Sequence, residues 1–197
     1  MFIQVITGEV ADAAGLDAAL DRWQSEVRPE AVGFLGLTGG VTADGRVVLL
    51  VRFESPEVAR ANGQRAEQSA WWAEAETCFS GPVTFRDCTE MDSYRGGGTD
   101  DAGFVQVMVG RADRERLREL DARVEHLLPG LRPDLLGSMR AWHGDEFTEA
   151  AYFTSEAAAR AGEAQQPPAE LADAMREWQD VMGDVTYYDL TEPRLVS

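Results

Sequence analysis

FIQVITG at 2–8 and FVQVMVG at 104–110 read as one strand written twice. The likeness continues outward. RPEAVG at 28–33 meets RPDLLG at 132–137, FESPEVARA at 53–61 meets FTSEAAARA at 153–161, and VTFRDCTE at 83–90 meets VTYYDLTE at 185–192. The four matches keep one order and an offset of 100 to 104 residues, which is the mark of an internal repeat. The chain therefore divides into module 1 at 1–92, a connector at 93–101 and module 2 at 102–197. Gly96, Gly97 and Gly98 give the connector the backbone freedom of a linker.

Each copy spells βαββαβ. In copy 1 the apolar, β-branched run 2–8 is a strand. Leu16, Leu20, Trp23 and Val27 recur at helical spacing over 14–27, and Pro29 ends that helix. Strands 33–41 and 46–54 flank Thr42-Ala43-Asp44-Gly45, whose Asp-Gly pair signals a hairpin. Ser55 caps a helical region that starts at Pro56 and runs to about Phe79, and a last strand follows at 83–89. Copy 2 repeats the string with strands near 103–110, 136–143, 147–154 and 185–190, a helix at 113–128, and a second helix interrupted at 165–168. The class is α+β, with two ferredoxin-like modules. In strand 47–53, Val48 and Leu50 point one way while Val47, Leu49, Val51 and Phe53 point the other, so both faces need covering. Helices cover one. The expectation is that the two antiparallel sheets pack face to face as an intrachain pseudo-dimer, which is either monomeric or paired again as a homodimer.

Composition removes several function classes. Asp and Glu total 35 against 18 basic residues, a net charge of -17 that repels nucleic acid and anionic membranes. Every basic residue is arginine, so Schiff-base and P-loop lysine chemistry is excluded. Two histidines and two cysteines make no zinc spacing, and no metal site is expected. Cys78 and Cys88 read as small buried hydrophobes. MFIQVITGEV lacks the basic start and apolar run of a secretory signal, and no stretch is long enough to span a membrane, so a cytoplasmic location is expected.

The strand order, together with Phe53-Glu54-Ser55-Pro56-Glu57-Val58-Ala59 and its echo Phe153-Thr154-Ser155-Glu156-Ala157-Ala158-Ala159, resembles the antibiotic biosynthesis monooxygenase domain of the dimeric α/β-barrel superfamily, here duplicated in tandem. The resemblance implies that barrel-type fold and a cleft between sheet and helices. It also implies oxidation of a small aromatic, phenolic substrate with no metal or flavin cofactor. Where that family places a histidine one helical turn on, this chain has Asn62 and Gly162. The alternative is a non-catalytic small-molecule-binding or interaction protein on the same fold.

The copies then serve as controls for each other, since residues that differ mark where a site was kept on one side. Trp71 and Trp72, about 100° apart on a helix, offer an aromatic wall, with Asn62 orienting a phenol or an oxygen species. His143, beside Trp142 at a hairpin, is a candidate base for a phenolic proton. Arg52 and Tyr152 occupy matching strand positions and could hold an anionic or phenolic ligand. The catalytic candidates are thus Asn62 and His143, and the ligand-binding candidates Trp71, Trp72, Arg52, Tyr152 and Trp142. Gln4 and Gln106, also matched, need polar partners if buried.

Overall fold

The computed structural model describes residues 1–197, except the side chains of residues 169 and 170. The chain forms two compact units, Met1–Glu90 with Arg194–Ser197, and Met91–Pro193. In order it runs β1 (Phe2–Glu9), α1 (Ala13–Arg22), β2 (Phe34–Val41), β3 (Arg46–Phe53), α2 (Pro56–Gly63), α3 (Ala66–Ala75) and β4 (Thr84–Cys88). Next come β5 (Glu90–Tyr94), β6 (Phe104–Arg111), α4 (Arg114–Val124), α5 (Leu128–Leu131), β7 (Leu135–His143) and β8 (Glu146–Phe153). The chain closes with α6 (Glu156–Glu163), α7 (Ala169–Met182), β9 (Thr186–Leu190) and β10 (Arg194–Val196).

Both sheets are five-stranded and antiparallel, with orders β10-β2-β3-β1-β4 and β5-β7-β8-β6-β9. Four strands of each, β2-β3-β1-β4 and β7-β8-β6-β9, are the βαββαβ module read from the repeats. The fifth in each case comes from a stretch with no strand pattern. β5 begins before the expected connector and occupies its first residues, and β10 joins the sheet of unit 1 although the sequence places it at the end of module 2. Neither run is amphipathic enough to announce itself. Each is fixed by pairing to the edge beside β2 or β7.

The helical region expected from Pro56 to about Phe79 is two helices, broken where Gly63 ends α2 and Arg65 turns extended. Helix entries follow local chemistry: Ser55 Oγ accepts from the Val58 N–H at 3.3 Å and Ser155 Oγ from the Ala158 N–H at 3.2 Å. Strand register corrects one sequence match. Gly36 and Gly137 sit opposite Arg52 and Tyr152 at the same bulge, so RPEAVG and RPDLLG align three residues out of structural register. The matched glutamines have found matched partners: Gln4 Nε2 donates to Asp87 and Gln106 Nε2 to Asp189, each at 2.9 Å. Cys78 and Cys88 are buried free thiols.

In unit 1 the core between sheet and helices gathers Ile6, Val47 and Leu49 from the strands with Leu16, Leu20 and Trp71 from the helices. Val48 and Leu50, on the opposite side of β3, are fully buried. Gly36 is required at its bulge. Its φ is +148°, and a Cβ there would collide with the Arg52 guanidinium and the Val196 carbonyl oxygen. Gly36→Ala is therefore expected to lower the free energy of unfolding by about 1–3 kcal/mol, as overpacking does, read from the urea midpoint.

Candidate functional site

The helix–sheet layer of unit 1 is built around aromatic rings. α3 turns Trp71 inward, where its Nε1 donates to the Ala19 carbonyl at 2.6 Å, and leaves Trp72 half-buried. Their neighbours complete a row of seven rings. Phe53 lies 5.9 Å from Phe34, Phe34 5.1 Å from Trp23 and Trp23 6.3 Å from Trp71, centroid to centroid. Trp71 lies 5.9 Å from Trp72, which meets Phe79 at 6.0 Å and Phe85 at 5.2 Å. Tilted and edge-on contacts at these distances are the favoured packing of aromatic quadrupoles. Phe85, at the far end, is 47% exposed.

Phe34 reaches the surface in a groove of about 370 Å³ lined by Gln24, Arg28, Pro29, Ala31 and Phe34. The Arg28 guanidinium lies 5.5 Å from the Phe34 ring centre. The wall of this groove is tied down by Asn62, which the sequence singled out, and by Arg65. Asn62 is buried, and its Nδ2 donates to the Val32 carbonyl at 2.8 Å and the Val58 carbonyl at 3.1 Å. Arg65 donates to the Val27 carbonyl at 3.2 Å. The counterpart of Asn62 is Gly162, where a Cβ would collide with the Arg132 guanidinium. In unit 2 that arginine takes up the space, donating to Asp134 and lying 5.1 Å from the Phe153 ring centre.

The same layer of unit 2 holds a polar cluster within its apolar core. Arg140 and Glu149 face each other on β7 and β8, with side chains 5% and 9% exposed and Nη2 2.7 Å from Oε2. Arg140 also reaches Asp121 at 2.5 Å. Burial alone would lower the Arg140 pKa, but Glu149 and then Asp121 more than offset it, holding the guanidinium above the usual arginine range. Next to this pair, Trp142 is buried with Nε1 donating to Asp92 at 2.7 Å, and Asp92 accepts from Arg118 Nε at 2.8 Å. In unit 1 the register positions of Arg140 and Glu149 are Gly39 and Leu49. The sequence reading passed over this cluster. The signal was available in an Arg four residues before Gly144 and a Glu four residues after Asp145, equidistant from the Gly144-Asp145 turn.

The remaining candidates are dispersed. Arg52 is buried on the sheet face away from the helices, donating to Thr38 Oγ1 at 2.8 Å and to the Val196 carbonyl at 3.0 Å. Tyr152 is fully buried, and a Cβ on Gly98 would come within 2.7 Å of its hydroxyl. His143 is exposed at the hairpin end of β7, while adjacent Trp142 is buried, as alternation along a strand requires. Of the sequence candidates, Trp71 and Trp72 have their rings in contact, and Asn62 braces the nearby groove. Among the described residues no group of three or more His, Cys, Asp or Glu is placed to hold a metal, and no helix is long and apolar enough to cross a membrane.

No known family profile and no curated protein matches the sequence. Solved structures do match over the full length. A presumed monooxygenase from Fusobacterium nucleatum is similar with a TM-score of 0.75 at 9% identity, covering 99% of this chain and 93% of its own. A presumed monooxygenase from Lactobacillus acidophilus gives 0.66 at 8% identity over 100% and 99%. An anthrone oxidase-like protein gives 0.63 at 11% identity over 98% and 93%. The duplicated chain thus has the monooxygenase-like α+β fold of these proteins.

Proposed function

We propose that the protein binds a small planar phenol or quinol in the groove of unit 1 and, as a monooxygenase-like protein, oxidises it with molecular oxygen. The observation that carries this reading is the aromatic row, which reaches the surface at Phe34 beside the Arg28 guanidinium. A flat ring stacks on Phe34, Gln24 offers an amide for hydrogen bonding, and Arg28 favours the ionised phenol over the neutral one. Such an anion is electron-rich enough to reduce oxygen directly. For an anthrone-type methylene, oxygen adds at carbon as a hydroperoxide, and loss of water leaves the ketone. One O₂ is consumed and one water released per turnover. Asn62 and Arg65 are positioning residues here, since they fix the wall rather than line the groove.

A second reading, binding without turnover, is favoured by one observation: both carbonyl acceptors of the Asn62 amide are backbone groups, and no groove-lining side chain is a base. One experiment separates the two. Titration with an anthrone and a quinol, followed by tryptophan fluorescence, is expected to saturate, because Trp23 lies 5.1 Å behind Phe34. Arg28→Ala and Phe34→Ala should each weaken binding by about tenfold, while Trp72→Ala, farther along the row, should not. Oxygen uptake that follows binding across these variants supports oxidation, and saturable binding without uptake supports the second reading. Unchanged affinity in Arg28→Ala and Phe34→Ala would remove the groove from either.

A further inference from the structure

We propose that unit 2 carries a separate site for a small organic monocarboxylate, in the groove between β5 and the end of α4. This groove, of about 360 Å³, is lined by Tyr94, Arg95, Ala122, Glu125, His126 and Pro129. The assignment does not depend on the reading of unit 1.

Local structure concentrates the polar groups here. α4 ends at Val124, and the turn that follows presents Glu125 and His126 before Pro129 starts the next helical turn. On the opposite wall β5 ends at Tyr94, and the chain reverses through three consecutive left-handed residues, Arg95 at φ +51°, Gly96 at +85° and Gly97 at +94°. The turn is closed by the Gly97 N–H donating to the Tyr94 carbonyl at 3.1 Å. Glycine adopts such angles readily, whereas arginine does not, and among the described residues Arg95 is the one non-glycine with positive φ. Strained residues of this kind cluster where a side chain must be held in one place. The side chain is held as well: Arg95 Nη1 donates to the Leu135 carbonyl at 3.1 Å.

The lining chemistry selects the ligand. A guanidinium, a phenol hydroxyl and an imidazole are placed around one groove, on a chain whose net charge is -17. A guanidinium pairs with a carboxylate through two parallel hydrogen bonds, and a tyrosine hydroxyl adds a further donor. Ala122 and Pro129 supply an apolar flank for a small ring. Among the lining residues the single carboxylate, Glu125, tolerates a monoanion beside the Arg95 guanidinium but opposes a dianion, so a carboxylate is favoured over phosphate. Unit 1 differs at the equivalent place. Gln24, like His126, lies two residues past the first helix, yet the cation of that groove, Arg28, is placed over an aromatic ring.

The test is an NMR titration of the full chain with 4-hydroxybenzoate, and separately with inorganic phosphate, following the two histidine ring signals. The expected result is a saturable shift of His126 with 4-hydroxybenzoate while His143 stays in place. Arg95→Gly keeps the backbone in a conformation glycine prefers and removes the side chain with its guanidinium. It should weaken binding by about tenfold, with the dispersion of the spectrum unchanged, and Tyr94→Phe should weaken it less. Phe34→Ala should leave this titration as it is, which separates the site from the groove of unit 1. No saturable shift of His126, equal affinity in Arg95→Gly, or tighter binding of phosphate than of 4-hydroxybenzoate would each overturn the assignment.

Discussion

Arg140→Met is expected to lower the free energy of unfolding by about 3–5 kcal/mol, the range for breaking a buried ion pair on one side. The substitution keeps most of the volume, so the loss is electrostatic. It leaves the Glu149 carboxylate 9% exposed, without the guanidinium that reaches it at 2.7 Å, in a layer otherwise lined by Trp142 and Phe147. Glu149→Leu should cost less, because Arg140 retains Asp121, whose side chain is 36% exposed and partly hydrated. The decisive variant is the double one. Unit 1 has Gly39 and Leu49 at this register and is packed there without ions. Arg140→Met with Glu149→Leu should therefore recover most of the loss, since two buried charges disappear together. Urea denaturation of the four proteins forms a double-mutant cycle. Strict additivity would mean that the pair is hydrated in solution and that the polar cluster of unit 2 contributes no specific interaction.

The strands of the repeated module were legible because their signals are local. Alternation in 47–53, Asp-Gly at 44–45 and Ser55 before Pro56 each act over a few residues, and the repeat doubled every one of them. β5 and β10 were hidden for the opposite reason. Glu90–Tyr94 and Arg194–Val196 become strands only by pairing to an edge, with Leu195 beside Thr38 and Val196 beside Leu37. The same distinction explains the candidate site. Adjacent tryptophans announce an aromatic layer, but the identity of the groove depends on Arg28 and Phe34, which one strand and one helical turn bring together. Asn62 was noticed for its position but not for its hydrogen bonds, because its partners are the carbonyls of Val32 and Val58, and backbone acceptors leave no mark on a sequence. Arg140 and Glu149 needed the β7–β8 register before they could be seen as a pair.

Trp71→Ala should be about as damaging as Arg140→Met, lowering stability by about 3–5 kcal/mol, the usual cost of truncating a buried tryptophan. Its ring is wedged between Trp23 and Trp72, and α3 rests on α1 through it, with Nε1 donating to the Ala19 carbonyl. Trp71→Phe separates packing from hydrogen bonding. The Ala19 carbonyl still accepts from the Trp23 N–H, so the loss should be nearer 1 kcal/mol plus the smaller ring. Trp72→Ala should fall between these, since that ring is half-buried and its outer neighbour Phe85 is exposed. The ranking bears on function. If Trp71 serves the scaffold, ligand affinity in Trp71→Phe stays close to that of the parent while stability drops, and the loss of binding in Trp71→Ala simply follows unfolding. If Trp71→Ala instead remains within about 1 kcal/mol of the parent and loses the ligand, the ring is not held by its neighbours as tightly as these contacts require. The binding surface would then extend inward from Phe34 along the aromatic row.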